Sequence, residues 1–320
     1  MNFRFLTSVL VASTFCVLPN CFAQTTTTLP FSASALAFEN DGTLLVVGGG
    51  GASSILAIES DGTQSTIDLQ AGTSLDSPGG AVFDSATGRL LVTDNEGFAD
   101  GFGSLLSIDI TNGQVDTLVS GIDFIDDVAV RSSGEVFFST ADGGGAGGVF
   151  QAFSDGTTAE VVSGLDFAAG LIFDLNDDLV FQEVNESDFL GTVSRLSITE
   201  SASGLSFGST EVLASGLSGG FDLAADSEGD LFVTGSGGLF ELDRDASGAF
   251  LGTASNLVNG NFSTEAAFFS PQITFIPEFG ASELTSLVVV AVPEPASATL
   301  VGVLALGLVV RRRRRLKSQK

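Results

Sequence analysis

Residues 81–93 read "AVFDSATGRLLVT". Three apolar residues lead into Asp84, Ser85, Thr87 and Gly88, and the apolar run Leu90 to Val92 follows, which is a strand, turn, strand signal. The same unit recurs as "LAFENDGTLLVV" from Leu36, "VAVRSSGEVFFS" from Val128, "LIFDLNDDLVFQ" from Leu171 and "LAADSEGDLFVT" from Leu223. A degenerate copy, "AAFFSPQITFIP", begins at Ala266. Successive starts lie 45, 47, 43, 52 and 43 residues apart. That period is the length of one β-propeller blade, about 40–50 residues.

Each unit continues with a Gly-rich stretch and an alternating strand, such as "SLLSIDI" (104–110), "GVFQAF" (148–153), "VSRLSI" (193–198) or "GLFELD" (238–243). A fourth strand follows, as in "TQSTIDL" (63–69) or "TAEVVSGL" (158–165). Four antiparallel strands make one blade. The last unit supplies three, so Thr25 to Leu29 is expected to complete it and hide two sheet edges. The fold expectation is all-β: a six-bladed β-propeller closed by the N-terminal strand, plus a C-terminal single transmembrane helix. A five-bladed ring with a separate C-terminal strand group is the second choice.

Charge narrows the function. The chain has 12 Lys and Arg against 39 Asp and Glu, a formal net charge of −27, and residues 24–292 hold four arginines, no lysine and 38 of the acids. Such a surface repels nucleic acid and anionic lipid, so no nucleic-acid partner is expected. The body contains no His, Trp, Tyr or Cys. That removes Ser-His-Asp triads, His- or thiolate-bound zinc and thiol nucleophiles, and the absence of lysine removes Schiff-base chemistry.

In the stretch "GAVFDSATGRLLVTDNEGF" (80–98), Asp84, Gly88, Val92, Thr93, Asp94 and Asn95 resemble the repeat of the NHL and gluconolactonase-like propeller group. Ser139 and Thr140, Gln182 and Glu183, or Thr234 and Gly235 follow the second strand in other copies. Members of that group hold a divalent cation in the central funnel with Glu, Asn and Asp. By this resemblance the metal candidates are Asp94, Asn95, Asp127, Glu183 and Glu265, with Asp126, Asp222 and Asn185 nearby, and the only cofactor implied is Ca²⁺ bound through oxygen. The chain has "SASALAF" (32–38) where the group opens its first blade with Glu. The expectation is therefore no catalytic residue and no enzyme. A metal-dependent hydrolase or lactonase using funnel carboxylates is the second reading. The turns "ENDG" (39–42), "LNDD" (175–178) and "DSEGD" (226–230) lack the spaced ligands of an EF-hand and read as hairpin turns.

The two ends carry an address. "MNFRFLTSVLVASTFCVLPNCFA" (1–23) has an early Arg4, an apolar stretch and small residues at its end, the pattern of a secretory signal peptide cleaved after Ala23. Both cysteines, Cys16 and Cys21, fall inside it. Ala296 to Val310 is an uncharged run of fifteen residues before Arg311, Arg312, Arg313, Arg314 and Arg315. As a helix it spans about 22 Å, short of a bilayer core of about 30 Å, with arginine snorkelling extending its reach. The positive-inside rule places the arginines in the cytoplasm and the body outside.

Val292, Pro293, Glu294, Pro295 and Ala296, followed by the apolar run and the arginine cluster, resemble a PEP-CTERM sorting signal. The resemblance implies recognition by a membrane exosortase, after handling by signal peptidase and the secretion machinery. The domains are then 1–23 signal peptide, 24–290 propeller and 291–320 sorting signal. The precursor would pass through the inner membrane once with its C-terminus in the cytoplasm. The delivered acidic propeller would act as a binding or structural module in the cell envelope or extracellular matrix, with polysaccharide or envelope proteins as partners.

Overall fold

The computed structural model describes residues 13–15, 22–95, 103–142, 144–202, 204–245, 247–259, 266–269, 272–277 and 281–288. All regular structure among them is β. Two strands at the start, β1 (Ser13–Phe15) and β2 (Phe22–Thr28), pair with each other. Next come β3 (Ala33–Phe38), β4 (Leu44–Gly48), β5 (Ser54–Ile58) and β6 (Gln64–Asp68), a four-stranded antiparallel sheet in chain order. The pattern repeats in β7 (Pro78–Asp84), β8 (Arg89–Asn95), β9 (Gly103–Asp109) and β10 (Val115–Ile122). It repeats again in β11 (Ile125–Val130), β12 (Val136–Thr140), β13 (Gly147–Ala152) and β14 (Thr158–Leu165).

The next two four-stranded groups are joined into one eight-stranded sheet. The first is β15 (Phe167–Phe173), β16 (Leu179–Val184), β17 (Leu190–Ser201) and β18 (Gly204–Ser218). The second is β19 (Leu223–Ala225), β20 (Leu231–Gly235), β21 (Gly238–Arg244) and β22 (Phe250–Asn259), tied to the first through a parallel pairing of Ala214 with Gly252. The last sheet is β23 (Ala266–Phe269), β24 (Gln272–Phe275) and β25 (Glu283–Val288), completed by β2 and edged by β1. Thr25 to Thr28 pair with Ser286 to Glu283, the closure the sequence suggested. Strand β1 and the start of β2 fall within residues 1–23, the segment read as a signal peptide.

One turn builds most hairpins. Glu39 N–H donates to Thr43 O, Gly42 N–H donates back to Glu39 O, and Gly42 sits at φ +90°. The same two bonds recur at Glu59, Arg131, Phe153, Asp174, Asp226 and Asp245. Asp177 takes the left-handed position in the Asp174 turn, at φ 61°, which a short polar side chain tolerates. In several of these turns an aspartate accepts backbone N–H groups, as Asp226 Oδ1 does from Glu228 and Asp230. These acidic turns are structural: their carboxylates are engaged by the chain itself.

The sheets form a propeller-like arrangement. The first strands of successive groups, β3, β7, β11, β15, β19 and β23, pack each against the next, and β23 packs back on β3. An apolar layer fills every gap between neighbouring groups. Leu45, Ile55, Leu90 and Ile108 lie in the first, and Leu29, Leu36, Ile276 and Leu284 in the last, between β23–β25 and β3–β5. Those first strands enclose a central channel of about 300 Å³, lined by Leu36, Ala81, Val128, Leu171, Leu223 and Ala266 among others, with Asp127 and Asp222 the charged lining residues among those described. No helix among the described residues is long and apolar enough to cross a membrane. The expected sorting signal, residues 291–320, with its transmembrane run Ala296 to Val310, lies outside the described residues, as does most of 1–23.

Candidate functional site

The first strand of most groups begins with a register shift, and in β11 it lies between Ile125 and Val128. Asp126 and Asp127 occupy that bulge, a device that re-aims side chains at sheet edges. Asp127 Oδ1 accepts the N–H of Val128 at 2.7 Å, and Oδ2 accepts the N–H of Leu171, in the next sheet, at 2.5 Å. Asp222 repeats this in the group that starts with β19. Its Oδ1 takes the N–H of Leu223 at 2.7 Å and its Oδ2 the N–H of Ala266, again one sheet on, at 2.7 Å. Both aspartates thus latch one sheet to the next. Where preceding sheets meet them the chain has glycine: a Cβ on Gly80 would lie 1.9 Å from Asp127 Oδ1.

A second tier of bonds lies behind the latches. Ser139 Oγ accepts the N–H of Asp127 at 3.0 Å and donates to Ala169 O at 2.8 Å. Thr234 Oγ1 accepts the N–H of Asp222 at 3.0 Å. Thr93 Oγ1 accepts from Gly80 N–H at 2.8 Å and donates to Asp126 O. The corresponding position in β16 is Gln182, fully buried, whose amide oxygen and nitrogen have no hydrogen-bond partner among the described residues. The amide lies against Gly220, where a Cβ would come within 1.4 Å of Nε2.

Asp127 and Asp222 line the channel, and Asp126, next to Asp127 in the bulge, is near enough for its charge to act on both. Burial pushes Asp126 up to about 7. Burial raises Asp127 well above the usual range, the charge of Asp222 adds to this, and the N–H bonds from Leu171 and Val128 pull back. Burial also lifts Asp222 to about 7, against its two N–H bonds and with a further push from Asp126. Asp126 differs from the other two. It is half-buried, and its carboxyl accepts no hydrogen bond among the described residues, so it alone is available to exchange a proton with a ligand.

The other candidates lie apart from this group. Asp94 accepts the N–H groups of Ser77 and Asp76 within its own sheet, at 2.7 and 3.2 Å. Asn95 Nδ2 donates to Ile125 O at 2.5 Å. Glu183 Oε1 accepts Asp166 N–H at 3.1 Å, and Asn185 Oδ1 accepts from Ser187 N–H at 3.0 Å. Glu265 lies outside the described residues. Among the described residues no three Asp, Glu, His or Cys stand in a group that could hold a metal ion. The donor set of Asp94, Asn95, Asp127 and Glu183 does not fit Ca²⁺ as it stands, because each side chain bonds a different part of the chain and no three of the described carboxylates stand together as metal ligands. Two features escaped sequence reading. The latching role of Asp127 and Asp222 was signalled only by an acid just before the apolar start of a repeat, facing glycine one repeat earlier. The unpaired amide of Gln182 was signalled by its standing where other copies have Thr or Ser.

No family model matches the sequence, and no curated protein does. Solved structures do resemble it. A gluconolactonase from Xanthomonas campestris superposes with a TM-score of 0.59 at 18% identity, over 84% of this chain and 90% of the other. The PQQ-bound aldose sugar dehydrogenase from Streptomyces coelicolor gives 0.63 at 15%, over 83% and 98%. A virginiamycin B lyase from Staphylococcus aureus gives 0.57 at 12%, over 84% and 100%. At these identities the likeness is one of fold. The proteins it superposes on include a lactonase, a dehydrogenase and a lyase, so the fold is one that carries enzymes; this corrects the expectation of no enzyme, which rested on the missing opening Glu and the lack of catalytic residue types.

Proposed function

We propose that this chain is an exported six-bladed propeller enzyme, closed by its N-terminal strand, that hydrolyses a small uncharged ester or lactone at the channel mouth. The observation that carries the reading is Asp126, a carboxyl that accepts no hydrogen bond among the described residues, pushed up to about 7 beside two further buried carboxyls. A group poised there serves as base and then as acid near neutral pH. Ionised Asp126 takes a proton from water as the water oxygen attacks the carbonyl carbon. The ring C–O bond then breaks, and protonated Asp126 returns the proton to the departing oxygen. Asp127 and Asp222 are held by four backbone N–H groups, which fixes the mouth. The chain's net charge of −27 disfavours anionic substrates.

Export is supported by residues 1–23, and sorting by Val292 to Ala296 with Arg311 to Arg315. The delivered enzyme would work in the cell envelope or extracellular matrix. The decisive experiment is a lactone and ester panel on the full-length chain, with chelator and with Ca²⁺. Turnover in chelator that falls about 100-fold or more in Asp126→Asn is expected. Turnover that requires Ca²⁺, or an Asp126→Asn variant within threefold of wild type, overturns the mechanism. For sorting, intact mass of the exported protein from an exosortase-bearing host should show loss of Arg311 to Arg315, and retention of the tail when Glu294 and both flanking prolines are replaced.

A further inference from the structure

Among the described residues three other than glycine have positive φ: Asp177, in a hairpin turn, and two phenylalanines, Phe124 at 45° and Phe189 at 56°. A bulky side chain gains nothing from this conformation, and where the surroundings enforce it the strain points to function. Both phenylalanines belong to the face where the carboxyls sit. Phe124 lies two residues before Asp126, and its carbonyl accepts the N–H of Ala141 at 2.8 Å. Phe189 lies in the β16–β17 turn, and its carbonyl accepts the N–H of Gly219, three residues before Asp222, at 2.9 Å.

Hydrogen bonds link the segments on which the two stand. Gly144 N–H, in the loop that anchors Phe124, donates to Glu186 at 3.1 Å, and Glu186 N–H donates to Asp166 at 3.1 Å. The Phe189 turn is closed by Phe189 N–H to Asn185 O at 2.9 Å and by Leu190 N–H to Asp188 at 3.1 Å. These bonds fix the backbone of the turn, and yet Phe189 is 64% exposed with exposed Leu190 beside it. Burial of Phe189 therefore does not explain the strain. Next to Gly220 lies the unpaired buried amide of Gln182.

We propose that Phe189, with Phe124 on the same face, is a stacking wall that selects substrates carrying an aromatic ring beside the ester or lactone group. The inference rests on the acid–base reading of Asp126 for its reacting group and names the substrate class of that site. A neutral ring-bearing lactone meets an acidic mouth without charge repulsion and gains a contact along the phenyl ring.

The test uses the full-length chain with two lactones of the same ring size, dihydrocoumarin, which carries an aryl ring, and δ-valerolactone, which does not. Phe189→Gly and Phe189→Leu are compared with wild type. The ratio of kcat/KM for dihydrocoumarin to that for δ-valerolactone should fall about three- to tenfold in both, through KM. The melting temperature of Phe189→Gly should equal or exceed that of wild type, since glycine adopts this φ freely. Binding of dihydroquinolinone, the lactam counterpart that resists hydrolysis, is read by calorimetry and should weaken by the same factor. An unchanged ratio and unchanged lactam affinity overturn the inference, as does a lowered melting temperature in both variants or a wild type that does not bind the lactam. A wild type that hydrolyses neither lactone but binds the lactam through Phe189 sinks the acid–base reading and leaves the aromatic wall standing.

Discussion

Asp127 carries two obligations, one oxygen to its own strand and one to the next sheet, and Gly80 is the space that permits them. Gly80→Ala would place a methyl 1.9 Å from Oδ1 and 2.9 Å from Cα of a side chain that cannot swing away without breaking both bonds. The substitution should cost about 1–3 kcal/mol, as overpacking does, and urea unfolding measures it; an unaffected midpoint would show that Asp127 is free to move. Asp126 permits a sharper test. Its folded value is raised, so between about pH 4 and pH 7 the native state binds more protons than the unfolded chain, and stability falls as pH rises through that window. Asp126→Asn removes that term. Between pH 5 and pH 8 the variant should lose less stability than wild type, by on the order of 2 kcal/mol at ~1.4 kcal/mol per pKa unit. Parallel slopes for the two proteins would place Asp126 in water.

At the scale of elements, the closing sheet is the joint on which the ring depends. Leu284 is 1% exposed and packs with Leu29, Leu36 and Ile276 between the last sheet and the first. Leu284→Ala should cost about 2–5 kcal/mol. Amide exchange of Thr25 to Thr28 should accelerate more than that of β11 to β13, and uniform acceleration would mean that the ring opens only as a whole. This joint was legible in advance, because a repeat that runs out one strand short at its C-terminus and begins with a spare strand has one economical solution. The hairpins were legible for the same reason, with Asp, Asn and Gly at fixed offsets between apolar runs. The site was legible only in part. Asp126, Asp127 and Asp222 stood out by position, but Asp94 and Glu183 carry the same side-chain chemistry and accept backbone N–H groups elsewhere. No sequence pattern separates a carboxylate that accepts two backbone N–H groups from one that is left free. The strain at Phe124 and Phe189 is a backbone property with no residue signature, since phenylalanine is the last type one would place at positive φ.

Over the whole molecule, charge works against the fold. All four body arginines are used: Arg89 on Asp116, Arg131 on Glu135, Asp177 and Glu200, Arg195 on Asp174 and Glu211, and Arg244 on Asp230. Arg131 is nearly buried and ties β11–β12 to the turn at Asp177 and to the end of β17. Most of the 39 acids have no cation to meet, and the chain carries a net charge of −27. Salt at about 0.1 M cuts the reach of these charges to about 10 Å. Screening weakens seven attractive contacts among the described residues, most of them partly exposed and worth about 0–1 kcal/mol each, and relieves repulsion spread over the whole surface. Repulsion dominates by number, so the melting temperature should rise as sodium chloride is increased from low to moderate concentration. Acidification should act in the same direction down to about pH 4, as the raised carboxyls Asp126, Asp127 and Asp222 take up protons in the native state. Below that the sign reverses. Asp41, Asp61, Asp109, Asp155 and Asp245 are held below their ordinary value by hydrogen bonds from the residues of their own turns, and the stability they contribute is lost as pH falls through their folded values. Thermal melts across pH 3 to 8 at low and moderate salt should therefore give a maximum at about pH 4–6 that flattens on its alkaline side when salt is added. A melting temperature that falls with salt at neutral pH would show that the few ion pairs outweigh the repulsion.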